Sequence, residues 1–118
     1  MELFEINLKV SHLNIKHDMP TVDAATTRLK NGLTTFKNQG LKAVIVVHGF
    51  GSQGEGGSIK PAVRKLLADR SMCGIVRAYA GGEEWFEKKR EILAICPGLK
   101  ESEQEISGNE GITVVVMK

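Results

Sequence analysis

The chain is short of the features that would staple it, export it or hold it in a membrane. It contains two cysteines, Cys73 and Cys96, in 118 residues. They lack the CxxC spacing of redox or zinc sites, so both read as reduced structural thiols rather than a disulfide framework. No apolar run reaches the 18 residues of a membrane span, and the opening MELFEINLKV alternates polar with apolar residues where a signal peptide would be continuous. A cytoplasmic location with no membrane partner is therefore expected. Charge of one sign is missing too. The formal net charge is +2, which does not mark a nucleic-acid binder by itself and leaves that role to local basic clusters. With 42% hydrophobic and 25% charged residues the composition is that of an ordinary globular protein, and the length suits one domain spanning residues 1–118.

What the sequence does contain is concentrated between Lys42 and Leu67, KAVIVVHGFGSQGEGGSIKPAVRKLL. Ala43–Val47 is an almost purely β-branched run and reads as a strand buried on both faces. His48 follows at its carboxyl end, where open α/β sheets place ligands. Gly49, Gly51, Gly54, Gly56 and Gly57 permit close backbone approach to an anion. Ser58 is the expected N-cap of a helix whose buried face is Ile59, Ala62, Val63, Leu66 and Leu67, with Pro61 in its first turn.

The remaining elements follow from periodicity. Phe4, Ile6, Leu8 and Val10 alternate as a half-buried strand. Leu13-Asn14-Ile15-Lys16 repeats the pattern, either as a second short strand or as a continuation across a bulge at Ser11 and His12. A helix starts at Pro20-Thr21, buries Val22, Ala25, Leu29, Leu33 and Phe36, and stops at Asn38-Gln39-Gly40. Gly74–Tyr79 and Gly111–Met117 read as further strands. Between them lies an insertion of about 80–107, with a helix carrying Trp85, Phe86, Ile92, Leu93 and Cys96 on one side, Glu83 and Glu84 at its amino end, and Cys96-Pro97-Gly98 as its stop. The order β-β-α-β-α-β-insertion-β predicts a two-layer α/β sandwich on a mixed, mostly buried sheet, with an N-terminal extension over residues 1–11.

Three motif readings compete for the His48 loop. Gly49-Phe50-Gly51-Ser52-Gln53-Gly54 matches G-x-G-x-x-G. However, a helix starting at Ser58 begins too late for a dinucleotide fingerprint, and Ala78-Tyr79-Ala80 lacks the acid that would hold a ribose. No Gly-Lys-Ser/Thr follows, which removes a Walker A loop. Val46–Gly51 is similar to the oxyanion segment of α/β-hydrolases, but there is no G-x-S-x-G elbow.

The third reading uses more of the chain. Strand-His48-Gly49-Phe50-Gly51, then Gly57-Ser58-Ile59-Lys60-Pro61-Ala62-Val63 opening a helix, then Gly111-Ile112-Thr113-Val114-Val115-Val116, resembles in order the motifs of the Smr (small MutS-related) domain. Its opening L-D-x-H-G and T-V-x-E-A are similar to Leu13–His17 and Thr21–Ala25. The departures are Asn14 for Asp, Lys16 for His, Lys60 for Arg, added residues before Thr21 and in the glycine loop, and the insertion. The resemblance implies a fold like the C-terminal domain of translation initiation factor three, with nucleic-acid binding and DNA-nicking or RNA endonuclease activity.

The resemblance puts His48 beside a phosphate as the central catalytic candidate, with Asn14 and His17 in the opening motif as its companions. It assigns phosphate binding to Lys16, Gly49, Gly51, Gly57, Ser58, Lys60 and Arg64. Loss of the Asp at position 14 removes a base or an orienter, so binding of DNA or RNA is the firmer expectation than cleavage. No cofactor is evident, no metal site is expected because His12 and His17 lack a third ligand at zinc spacing, and a divalent-metal requirement is left open. The plainer readings make His48 a structural histidine and Lys60, Arg64 and Lys88-Lys89-Arg90 solvated helix residues. The rival function is a non-catalytic protein-interaction domain presenting Trp85 and Phe86 on the insertion.

Overall fold

The computed structural model describes residues 10–18, 20–49 and 54–118, and the side chains of all of these except 54–58. The first expected strand, Phe4 to Val10, lies outside the described residues apart from Val10. Strand β1 (Val10–Asn14) leads into helix α1 (Val22–Asn38), strand β2 (Ala43–Val47), helix α2 (Gly54–Leu67) and strand β3 (Val76–Gly81). The segment of about 80–107, expected from the sequence to be an insertion and referred to by that label, folds as a 3-10 turn at Gly82–Glu84, helix α3 (Trp85–Ile95), a 3-10 stretch at Pro97–Ser102 and a single turn α4 (Glu103–Ile106), before strand β4 (Ile112–Met117).

Local signals explain most of these limits. Thr21 caps α1, its Oγ1 accepting from Ala24 N at 3.1 Å, and Gly40 takes a φ of +83° just past the last turn, where a side chain would be strained. Strand β1 pairs with β2 in unbroken parallel register from Val10↔Ala43 to Asn14↔Val47. Ser11 and His12 are therefore regular strand residues, and the alternative of a bulge at that point is corrected.

The sheet order is β1-β2-β4-β3. Strands β1 and β2 run parallel, and β4 is antiparallel to both β2 and β3. The mixed sheet is as expected, and the last strand occupies an interior position.

Burial on both faces accounts for the absence of alternation in AVIVV and ITVVVM. On one face Ala25, Leu29 and Leu33 of α1 and Ile59, Val63 and Leu67 of α2 cover Val44, Val46, Val115 and Met117. On the other, Trp85, Ile92, Leu99 and Ile106 cover Ala43, Ile45, Val114 and Val116. Helices α1 and α2 make the sandwich expected from the sequence, and the insertion supplies a cover for the opposite face.

Polar ties hold that cover down. His12 Nε2 lies 2.9 Å from both Glu105 carboxylate oxygens. Trp85 Nε1 and Lys89 Nζ both donate to Glu103 Oε2, at 2.9 and 2.6 Å.

Two boundaries differ from expectation. Helix α2 begins at Gly54, four residues before the expected cap at Ser58, so Pro61 lies inside it. Glycines carry no helix-start signal of their own, and the packing of Ile59 and Val63 extends the helix back through them. Strand β3 is displaced from Gly74–Tyr79 to Val76–Gly81, because a 3-10 turn at Arg70–Met72, capped by Asp69, carries the chain as far as Cys73.

Candidate functional site

His48 sits one residue past β2 and is 1% exposed. Its side chain lies on the face covered by α1 and α2, since it meets Thr113, which shares the parity of Val115 and Met117 in that core. Nδ1 is 2.7 Å from Gly49 O and Nε2 is 2.8 Å from Thr113 Oγ1. A carbonyl oxygen can only accept, so the partners assign the proton to Nδ1, and Thr113 Oγ1–H then donates to Nε2. The neutral ring has no free nitrogen.

The backbone around it is equally committed. The N–H groups of His48 and Gly49 both donate to Gly111 O at 3.0 Å, and Gly49 holds a φ of +74°. The expectation that the Gly49 amide holds a phosphate oxygen is therefore corrected: that donor is already paired. Gly51 lies outside the described residues. With α2 starting at Gly54, the amides left without an intrahelical acceptor precede Gly57, and the Gly57 and Ser58 amides both belong to the i→i−4 ladder, so the phosphate contacts expected of those two amides are corrected as well.

Burial is the main influence lowering the His48 pKa below its ordinary 6.5. The Gly49 carbonyl opposes it, Lys60 and Arg64 add to it, and Glu83 opposes it. The unfolded chain therefore takes up a proton at higher pH than the folded chain does. The stability from the neutral ring is complete above 6.5 and is lost as pH falls from there through the lower folded value. Urea unfolding of the parent is expected to show a falling free energy as pH drops from 7.5 to 5.5, and His48→Gln is expected to remove that component. Parallel profiles for the two proteins would show that His48 does not titrate in this way.

Lys60 and Arg64 project from α2 beside this histidine, but neither stands alone. Arg64 Nη2 is 2.7 Å from Glu83 Oε2, and Nη1 is 3.6 Å from Glu84 Oε1. Lys60 Nζ is 3.3 Å from the same Glu83 oxygen and 3.9 Å from Glu110 Oε1. Burial by itself would raise the Glu83 pKa. The Arg64 hydrogen bond and the charges of Arg64 and Lys60 outweigh it and hold the carboxyl below its ordinary value. Three carboxylates, Glu83 and Glu84 of the insertion and Glu110 just after it, thus surround the two cations assigned to phosphate.

The opening-motif residues are dispersed. Asn14 shares the parity of Val10 and so faces the insertion side of the sheet, opposite His48. Its Oδ1 accepts from Lys16 N at 2.9 Å. Lys16 is exposed, and its Cδ lies 3.2 Å from where a Cβ on Gly49 would be. Lys16 and Gly49 border a cleft of about 290 Å³ that also takes in Glu105 and Asn109. The His17 ring is exposed and 3.4 Å from Asp18 Oδ2. The two companions proposed for His48 therefore meet other partners.

Among the described residues no group of three or more His, Cys, Asp or Glu side chains could hold a metal ion. No helix of those residues is long and apolar enough to cross a membrane. The rival surface is corrected: Trp85 is wholly buried, and only Phe86, 82% exposed, faces outward. Neighbours on a helix point about 100° apart, so the two aromatics could not share one face.

Thr113, Glu83, Glu84 and Glu110 are the site residues that the sequence reading missed in these roles. For Thr113 a signal was present, a hydroxyl in the middle of a valine-rich buried strand, which requires a partner. The carboxylates gave none, because their partners lie 19 or more positions away.

The Smr domain model matches residues 17–84. No curated protein sequence matches the chain. Among solved structures, the fold is similar to the Smr domain of Thermus thermophilus MutS2, at 22% identity and a TM-score of 0.54, over 93% of this chain and 98% of that one. With more than half of its residues matched in sequence, and with the His48 strand, the glycine segment and α2 all inside the match, the chain belongs to the Smr domain family.

Proposed function

We propose that the domain binds nucleic acid through backbone phosphates at the surface formed by Lys16, the first turn of α2, Lys60 and Arg64, with His48 bracing the Gly49 turn beneath it. The observation that carries this reading is the bracket of bonds from His48 to Gly49 O, Thr113 Oγ1 and Gly111 O, next to the two cations of α2. It is supported by membership of a family associated with nucleic-acid binding and endonuclease activity. Bracing of the backbone at His48 and Gly49 fixes the end of β2 beside the cations of α2, and phosphate contacts reward a preset arrangement of that kind.

Cleavage is the second reading, favoured by the lowered pKa that keeps the His48 ring neutral near pH 7. To act as a base, Nε2 must first exchange its Thr113 bond for one to water or a ribose hydroxyl. Asn14 and His17 take no chemical part in this account.

The test titrates labelled single-stranded and duplex DNA and RNA at low salt, alongside incubation of supercoiled plasmid and structured RNA with parent and His48→Ala protein, with and without magnesium. Saturable binding without cleavage fits the first reading. Cleavage by the parent that His48→Ala abolishes moves the assignment to the second. Absence of saturable binding to every nucleic acid contradicts both.

A further inference from the structure

Lys60 and Arg64 stand four residues apart on α2, so their head groups converge above one turn of the helix. Glu83 Oε2 bridges them, at 3.3 and 2.7 Å. The position of this carboxylate is built in. Glu83 lies in the 3-10 turn Gly82–Glu84 directly after β3, and Glu84 Oε1 accepts from Gly81 N at 2.9 Å. The backbone of 106 and 109 closes over Gly82, so the turn cannot slide. At Gly81 a Cβ would collide with the Arg64 guanidinium, so the arginine head group lies directly against the turn it pairs with. Arg64 Nε is buried with no acceptor, which means the carboxylates satisfy only part of the guanidinium donor set.

The geometry points to Glu83 as an internal competitor for the anion position at Lys60 and Arg64, one that restricts the site to polyanions presenting neighbouring phosphates. This rests on the phosphate-binding reading above. A carboxylate tethered at the site competes at an effective concentration of about millimolar or more. An isolated monoanion offers the cations little that Glu83 does not already supply. A polyanion adds counterion release and simultaneous contact with Lys16 and the first turn of α2, and so displaces the carboxylate. Glu83 thereby acts as a specificity-determining residue for the site.

The test compares parent, Glu83→Gln and Glu87→Gln at constant ionic strength, by calorimetry with inorganic pyrophosphate and by fluorescence anisotropy with a short labelled single-stranded oligonucleotide. Glu87 is exposed on α3, so its variant makes the same change in net charge while leaving the Glu83 bridge to Lys60 and Arg64 in place. Glu83→Gln is expected to bind pyrophosphate about five- to tenfold more tightly than the parent, the size of effect of a charged hydrogen-bonded competitor, and Glu87→Gln to match the parent. Equal affinity of parent and Glu83→Gln, or an equal gain in both variants, overturns the proposal. If pyrophosphate shows the gain and the oligonucleotide binds neither protein, the competitor stands and the nucleic-acid reading falls. If Lys60→Ala weakens oligonucleotide binding while Glu83→Gln strengthens neither ligand, the reading stands and the competitor is overturned.

Discussion

Trp85→Ala is expected to lower the unfolding free energy by about 3–5 kcal/mol, the range for deleting a large buried side chain. Trp85 is wholly buried and packs with Ile92, Leu99, Ile106, Val114 and Val116 on the insertion face of the sheet. Removing it leaves a cavity against β4, an interior strand that cannot move without disturbing both neighbours. The lost hydrogen bond matters less, because Glu103 keeps the Lys89 ammonium at 2.6 Å. Trp85→Phe retains most of the volume and is expected to cost only about 1–2 kcal/mol, the scale of a lost bond to a charged acceptor. Urea unfolding followed by circular dichroism separates the two. Near-equal costs would mean that the hydrogen bond, and not the packing, anchors the insertion.

Gly82→Ala is expected to cost about 2–4 kcal/mol by overpacking. A Cβ there would lie 2.6 Å from the carbonyl oxygen of Ile106 and closer still to that of Asn109, and both obstacles are backbone. Gly82 O also accepts from Gly108 N at 2.9 Å, so the two ends of the insertion would have to part. Gly81→Ala provides the contrast. Its Cβ meets the far ends of the Arg64 and Glu83 side chains, which can swing away. It is expected to destabilise less than Gly82→Ala while breaking the Arg64–Glu83 pair. A thermal melt of both variants tests the order, and the reverse order would show that the Gly82 turn yields more readily than its contacts imply.

Much of the fold was legible because burial patterns reveal themselves locally. The stripe Ala25, Leu29 and Leu33, the Thr21 cap and the stop at Gly40 each predict α1 with no knowledge of its neighbours. The solid β-branched runs of β2 and β4 announce burial on both faces, although they do not say what covers the second face. That cover is the insertion, whose short 3-10 turns and single-turn helix have too little periodicity to be read in advance.

The candidate site was legible at His48 and at the cations of α2, and not in what those groups touch. Alternation does predict that Asn14 and Ile15 face opposite ways, but it does not reveal which of them shares a face with His48. The bridging of Lys60 and Arg64 by Glu83 depends on β3 ending beside α2, a relation between segments that no local pattern encodes. The start of α2 at Gly54 was hidden for the opposite reason: glycine disfavours helix locally, and tertiary packing overrides it.

The central claim is that Lys60 and Arg64 contact phosphates while His48 only braces the turn. The most direct measurement is the salt dependence of the oligonucleotide binding constant for the parent and for the Lys60→Ala/Arg64→Ala double variant. The account predicts a steep linear decline of log K with log salt for the parent, and for the double variant a slope shallower by about 1.4 to 1.8, corresponding to two fewer phosphate contacts at ~0.7 to 0.9 per contact. Identical slopes and affinities for the two proteins would contradict it.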